Sequence, residues 1–218
     1  LVALSLDVRG LIVTDVRMKP RRPTGHSRDR RGDIVRAALK VLQTKGYAAL
    51  TARKVAAEAD ISLGHISYNF SGMDEVLSEA YKLASATLRA ATDQGLETSA
   101  QEPIEQVRAY LVAGFGDYFL QPDHVRTRID LWSAALAHPA IAETEHALYQ
   151  RYRDELDALL IAVAGENPAR RGKVQMVSDT IIATLDGLWL DWMRRRDSQA
   201  VQNGLDCCMY LVRKILAA

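Results

Sequence analysis

Apolar residues recur along this chain at helical spacing. Ile34, Ala38, Val41 and Leu42 follow an i, i+4, i+7, i+8 rhythm, and Gly46 is placed to end the helix they define. Three short helical pieces follow. Thr51 can cap one that runs to about Ala59, with Val55, Ala56 and Ala59 on one face. Ser62 can cap the next, in which Ile66 and Phe70 lie one turn apart. Ser71, with Asp74 three residues later, is a variant of the capping box and opens a longer helix through Val76, Leu77, Tyr81 and Leu88. Only Asp60-Ile61 links the helices capped by Thr51 and Ser62. Two helices of about eight residues on so short a turn must cross steeply, which is the geometry of a helix-turn-helix.

Beyond residue 100 the spacing predicts long amphipathic helices at about 103–120, 124–137, 139–164, 168–196 and 198–217. They are punctuated by Pro103, Pro122, Pro139 and Gly165-Glu166-Asn167-Pro168. The last two carry broad apolar stripes: Ile181, Ile182, Leu185, Leu188, Trp189 and Trp192 on one, Val201, Leu205, Cys208, Met209 and Val212 on the other. No alternating strand pattern of any length follows residue 30, so the predicted fold is all-α.

Residues 1–30 break the pattern. The run from Arg17 to Arg31 holds seven basic residues, two Pro and a Gly without apolar periodicity, and residues 1–27 read as a basic, disordered tail. No Met precedes Met18, which leaves part of residues 1–17 open to being a start-site artefact. Leu1 to Val13 is apolar, but Asp7 and Arg9 interrupt it and no small-residue cleavage site follows, so it does not read as a signal peptide.

Composition bounds the rest. With 218 residues, 48% of them hydrophobic and 25% charged, the chain suits one or two globular domains rather than wholesale disorder. No uncharged apolar run approaches the roughly 18 residues of a membrane-spanning helix, so no membrane partner is expected. Two adjacent cysteines, Cys207 and Cys208, cannot build a disulfide framework, and a cytoplasmic location is the default. The net charge of +1 hides an asymmetry: 13 Lys/Arg against 8 Asp/Glu in residues 1–77, and 15 against 19 in the remainder. Chance can produce such a division; so can a first third that meets a polyanion.

The helix capped by Ser62 separates its faces unusually. Leu63, Gly64, His65, Ser67, Tyr68 and Asn69 are small, polar or hydrogen-bonding, whereas Ile61, Ile66 and Phe70 face inward. A helix that lies in a DNA major groove needs this division: one side anchors it, and the other offers donors and acceptors without a bulky charge to hold it off. Arg53 and Lys54 sit in the first turn of the preceding helix, at the positive end of its dipole, where a polyanionic partner would offset the repulsion. A plain helical hairpin with solvated polar side chains is the alternative these features leave open.

The segment from Leu50 to Leu77 resembles the DNA-binding motif of the TetR family of transcriptional regulators. The resemblance rests on Thr51, Val55-Ala56, Ala59, Ile61-Ser62, Gly64, Ile66, Tyr68-Asn69-Phe70 and Leu77, and it covers about residues 28–88. It implies a three-helix DNA-binding domain over 28–88, with the helix-turn-helix at 51–70, joined to a helical ligand-binding and dimerisation domain over 89–218. It also implies phosphate contacts from Thr51, Tyr68 and Asn69 and base-edge contacts from Arg53, Leu63, Gly64, His65 and Ser67, with Ser62 at the turn. Two positions depart from the family pattern. Asp60 replaces a glycine where a left-handed backbone is needed, and Met73 replaces a lysine that contacts phosphate. The basic run at 17–31 could compensate by reaching along the backbone or into the minor groove.

In the second half, Trp132, the run Ser133 to His138, Pro139, Tyr149, Tyr152 and Arg153 resemble the BetI-like branch. Tyr110, Phe115, Tyr118, Trp132, Tyr149 and Trp189 are aromatic candidates for an effector pocket, each of which could equally be core packing. The resemblance assigns the last two helices to a homodimer interface, with Ile182, Leu185, Trp189, Val201, Leu205, Cys208, Met209 and Val212 in contact and a palindromic DNA operator as partner. No catalytic, metal or cofactor constellation is present: there is no HExxH, no paired histidines at ligand spacing, and Gly114-Phe115-Gly116 sits inside a helical pattern without the further glycines of a phosphate loop. Two readings remain, a repressor released from its operator by a small molecule, and a DNA-organising or protein-recruiting dimer without an effector.

Overall fold

The computed structural model of the chain describes residues 30–217, and among these it is all-α. The proposed basic arm and the tail over 1–27 therefore lie outside the described residues, apart from the last two arginines of the run. Helix α1 (Arg30–Lys45) buries Ile34, Ala38, Val41 and Leu42 completely, and Gly46 at φ 78° ends it by donating its N–H to the Leu42 carbonyl. A single 3₁₀ turn, Tyr47–Ala49, leads to α2 (Ala52–Glu58), whose first turn is capped by Thr51 accepting from the Lys54 N–H.

Asp60 supplies the turn between α2 and α3 (Leu63–Asn69) in a left-handed conformation, φ 54°, as expected for a residue standing in for glycine. Ile61 N–H reaches back to the Ala56 carbonyl and Asp60 N–H to that of Ala57, which closes the end of α2. Ser62 holds the capping position of α3, but its side chain makes no cap bond. At the start of α4 (Met73–Thr98), Glu75 rather than Asp74 reaches back, accepting from both the N–H and the hydroxyl of Ser71 at 2.8 Å, and no side chain caps the helix in return. Met73 packs its thioether against the core formed by α1–α4.

The second half forms a helical bundle: α5 (Pro103–Ala113), α6 (Pro122–Ala137), α7 (Pro139–Ala164), the short α8 (Pro168–Arg171), α9 (Val174–Arg195) and α10 (Ser198–Val212), with a wider helical turn at Arg213–Ala217. Two expected helices are shorter than their periodicity suggested. The one drawn to residue 120 stops at Ala113 with Gly114 as its cap, where a Cβ would sit 3.4 Å from Leu88 and from Trp189. Gly114-Phe115-Gly116 is thus a turn, not helix interior. The helix drawn over 168–196 breaks at Gly172-Lys173, and its first part is one turn capped by the Asn167 side chain.

The structure also corrects the dimer stripe. Ile182, Leu185, Trp189, Val201, Leu205, Cys208, Met209 and Val212 are all buried inside the single chain, where α9 and α10 pack on α5, α6 and α7. The more hydrophobic face of each helix closes the chain's own core, because a core between five helices needs more apolar area than one outer surface does. What α9 and α10 present outward is a milder face: Met176, Thr180, Ala183, Gly187 and Leu190 on α9, Cys207 and Tyr210 on α10.

Candidate functional site

Two regions of chemistry emerge, and α6 touches both. In the first, α3 stands outward on the support of Ile66 and Phe70, each 4% exposed. Its other face carries Leu63, Gly64, His65, Ser67 and Tyr68, all exposed, with Thr51, Arg53 and Ser62 beside it. Tyr68 is 88% exposed, an aromatic ring held in water by nothing in its own chain. Asn69 differs from the other expected contacts: it is half-buried, and its amide donates to the His65 carbonyl at 2.7 Å, so it finishes the helix. Asp60 is the exposed acid at the α2–α3 turn, and Glu58 at the end of α2 is held by Lys40 at 2.5 Å, which leaves Arg53 and Lys54 to set the positive potential of this edge.

Arg31 fixes the far end of α3. Its guanidinium lies 4.1 Å over the Phe70 ring, donates to the Asn69 carbonyl and pairs with Glu75 at 2.9 Å. Glu75 thereby accepts from the Ser71 backbone, from Arg31 and from the Ser71 hydroxyl, and these bonds hold its carboxyl down at about 2. Helix α3 is tied to α1 and α4 through one carboxylate.

The second region is a cavity of about 1160 Å³ walled by α4, α5, α6, α7 and α9. All six expected aromatics line it, Tyr118 and Tyr149 at the more exposed side. Tyr110 is engaged by the frame, donating its hydroxyl to the Tyr152 carbonyl at 2.9 Å, and Phe115 stacks on Trp189 at 4.7 Å. Burial raises the pKa of the Tyr81, Tyr110 and Tyr152 hydroxyls, so all three are neutral donors at any working pH. Burial lowers that of His124, which meets Tyr118 edge-on at 4.4 Å.

Sequence reasoning missed charged groups of this cavity, among them Arg128 on α6 and Asp186 on α9, with Glu145 of α7 in the same lining. Their signal was present. Arg128 falls three and four residues before Leu131 and Trp132, and Asp186 lies between Ile182 and Trp189, so each interrupts an apolar stripe at the stripe's own spacing. Arg89 and Glu155 form an ion pair across another wall, which Arg151 joins at 3.3 Å.

The two regions meet at the end of α1. Asp130 on α6 accepts from the Tyr47 N–H at 2.9 Å, Arg126 donates to the Gln43 carbonyl, and the Tyr47 hydroxyl is 2.8 Å from His138 Nε2. His138 in turn lies 4.0 Å from Asp74 at the start of α4. One helix thus grips the end of α1 on one side and walls the cavity, through Arg128, Leu131 and Trp132, on the other. Among the described residues no three His, Cys, Asp or Glu side chains are grouped to hold a metal ion, and no helix is long and apolar enough to cross a membrane.

Comparison with known proteins agrees with this division. Residues 34–80 match the family of bacterial regulatory proteins called tetR, and residues 103–217 match the BetI-type transcriptional repressor C-terminal domain. The chain is 27% identical over 161 residues to the HTH-type transcriptional regulator BetI of Burkholderia ambifaria, a match covering 74% of this chain and 80% of that one. A putative transcriptional regulator from Pseudomonas aeruginosa PAO1 superposes with a TM-score of 0.74 at 23% identity, over 86% of this chain and 90% of that one. The multidrug binding protein EbrR complexed with ethidium superposes with a TM-score of 0.63 at 25% identity, over 85% and 99%.

Proposed function

The chain belongs to the tetR family of bacterial regulatory proteins, with a BetI-type repressor domain at its C-terminal end, and from that premise we propose that it is a homodimeric repressor released from its operator by a small molecule. It is a transcriptional regulator and not an enzyme. In this reading residues 28–88 read DNA, residues 89–218 sense the effector and dimerise, and the protein works in the cytoplasm beside its DNA. His65, Leu63, Gly64, Ser67 and Arg53 meet base edges, while Thr51 and Tyr68 meet phosphates.

The observation that carries the proposal is the sharing of α6. A ligand that displaces Arg128 or Trp132 moves the same helix that holds Gln43 and Tyr47 at the end of α1. In a two-fold dimer the two α3 helices must lie about one DNA turn apart, so a small rotation of each reading unit spoils both half-sites together. The ligand can weaken operator binding only by its preference for the released conformer, typically about 1–3 kcal/mol.

Dimerisation is supported by the outward face of α9. Gly187 lies in mid-helix, where glycine costs about 1 kcal/mol relative to alanine, yet a Cβ there would meet nothing within 4 Å in its own chain. Close approach of a second copy would give that glycine a reason.

The test is a gel-shift on the DNA upstream of the protein's own gene, with rising salt and nonspecific competitor. A discrete complex that survives competitor and is lost in a His65→Ala/Tyr68→Ala variant is the expected result. Weak, competitor-sensitive binding would instead favour a DNA-organising dimer, and no binding at low salt would remove the DNA-reading assignment.

A further inference from the structure

The side chains of the cavity narrow the chemistry of the effector, an argument that rests on reading this cavity as the effector site. Arg128 places its guanidinium 4.3 Å from the centroid of the Trp189 ring and 5.8 Å from that of Trp132. Aromatic faces of this kind hold organic cations in proteins that bind them. Here the chain's own cation already occupies the position, so an incoming ammonium would meet a like charge.

The same guanidinium has work left to do. Burial lowers its pKa, yet an arginine side chain remains charged, and among the described residues it makes neither a hydrogen bond nor an ion pair. The other cations around the cavity are engaged, Arg89 and Arg151 by Glu155 and Lys82 by Glu79. Asp186 attracts Arg128 from beyond ion-pair distance, and burial raises its pKa; Glu145 is the other acid of the lining without an ion-pair partner among the described residues. A planar fork of donors, half-buried and unfilled, is matched by a carboxylate.

We propose that the effector is an amphipathic organic acid whose carboxylate docks on Arg128 while its apolar body lies along Trp132 in the cavity. A cavity of about 1160 Å³ has room for an extended alkyl or aryl body beyond the head group.

Two probes with the same alkyl chain and opposite head groups test this: decanoate and decyltrimethylammonium, each kept below its micellar concentration. Intrinsic tryptophan fluorescence of the full chain reads binding directly, since Trp132 and Trp189 border the site. Decanoate is expected to bind wild-type protein more tightly than the cation, and Arg128→Met to weaken it about tenfold to a hundredfold while leaving the cation unchanged or tighter. Arg128→Lys, which keeps the charge and loses the fork, should fall between; it also covers the case in which Arg128→Met fails to fold. Equal or tighter binding of the cation, decanoate affinity indifferent to both substitutions, or no binding of either probe would overturn the proposal. Because the titration needs no DNA, a failure of the operator gel-shift would fall on the repressor reading alone. Release of a working operator complex by decanoate, lost in the Arg128 variants, would join the two.

Discussion

Single residues set the quality of the reading surface. His65 and Tyr68 stand on the open face of α3 without support from their own chain, so His65→Ala should cost about 1–3 kcal/mol in operator affinity and relax preference at one base position, whereas Tyr68→Phe should weaken all sequences alike. Fluorescence anisotropy on a set of single-base operator variants separates the two. Asp60 is the chain's answer to a missing glycine. A short polar side chain tolerates φ 54°, but a β-branched one does not, and Asp60→Val should destabilise the fold by about 1–2 kcal/mol in urea unfolding. Glu75 adds a pH dependence. Its folded pKa, about 2, lies below the ordinary 4.5, so its stabilisation is present above the ordinary value and is lost as pH falls from there towards 2. Thermal unfolding followed by circular dichroism should show a declining midpoint through that window, flattened by Glu75→Gln. Much of this surface was legible in the sequence, since small, polar and apolar residues divided cleanly on α3. The spending of Asn69 on its own helix and the role of Arg31 were not, because both depend on contacts between segments far apart in the chain.

At the scale of elements, α6 is where sensing and reading join. Its faces are distinct: Arg128, Leu131 and Trp132 border the cavity, while Arg126 and Asp130 hold the end of α1. Cutting the second set should leave both binding functions intact and loosen their connection. Asp130→Asn, which keeps the shape but weakens the bond to the Tyr47 N–H, should preserve operator affinity without ligand and ligand affinity without DNA. The coupling between them should shrink by about 0.5–2 kcal/mol. Measuring operator affinity at zero and saturating effector in both proteins gives that coupling directly; equal coupling would show that α6 does not transmit through this bond. Periodicity placed α6 and α7 within two residues of their ends, since proline starts both. It overran α5 and α9, whose backbones break at Gly114 and at Gly172-Lys173. The expected aromatics do line one cavity, but Arg128 and Asp186, two of the charges in its lining, were hidden by the habit of reading Arg and Asp as surface.

For the whole molecule, the issue is how two chains present two reading helices to one DNA face. The apolar stripes of α9 and α10 were expected to meet a partner, and they are instead consumed in the core of one chain. Periodicity identifies an apolar face but cannot say which neighbour will cover it; that depends on how many helices the same chain already supplies. The remaining outward face is small and mildly apolar, with Ala183 and Gly187 between Met176 and Leu190. Small residues let helix backbones approach, and a charge at their centre would be desolvated without a partner. Gly187→Glu should therefore leave the folded protomer intact, since a side chain there meets nothing in its own chain. It should convert the dimer to monomer in sedimentation equilibrium and lower operator affinity by about a hundredfold or more, because the second half-site would no longer bind at the effective concentration the first provides. Decanoate should still bind this monomer, because α4, α5, α6, α7 and α9 of a single chain wall the cavity. A Gly187→Glu protein that stays dimeric and holds its operator would move the interface to another face and with it the geometry by which the effector acts.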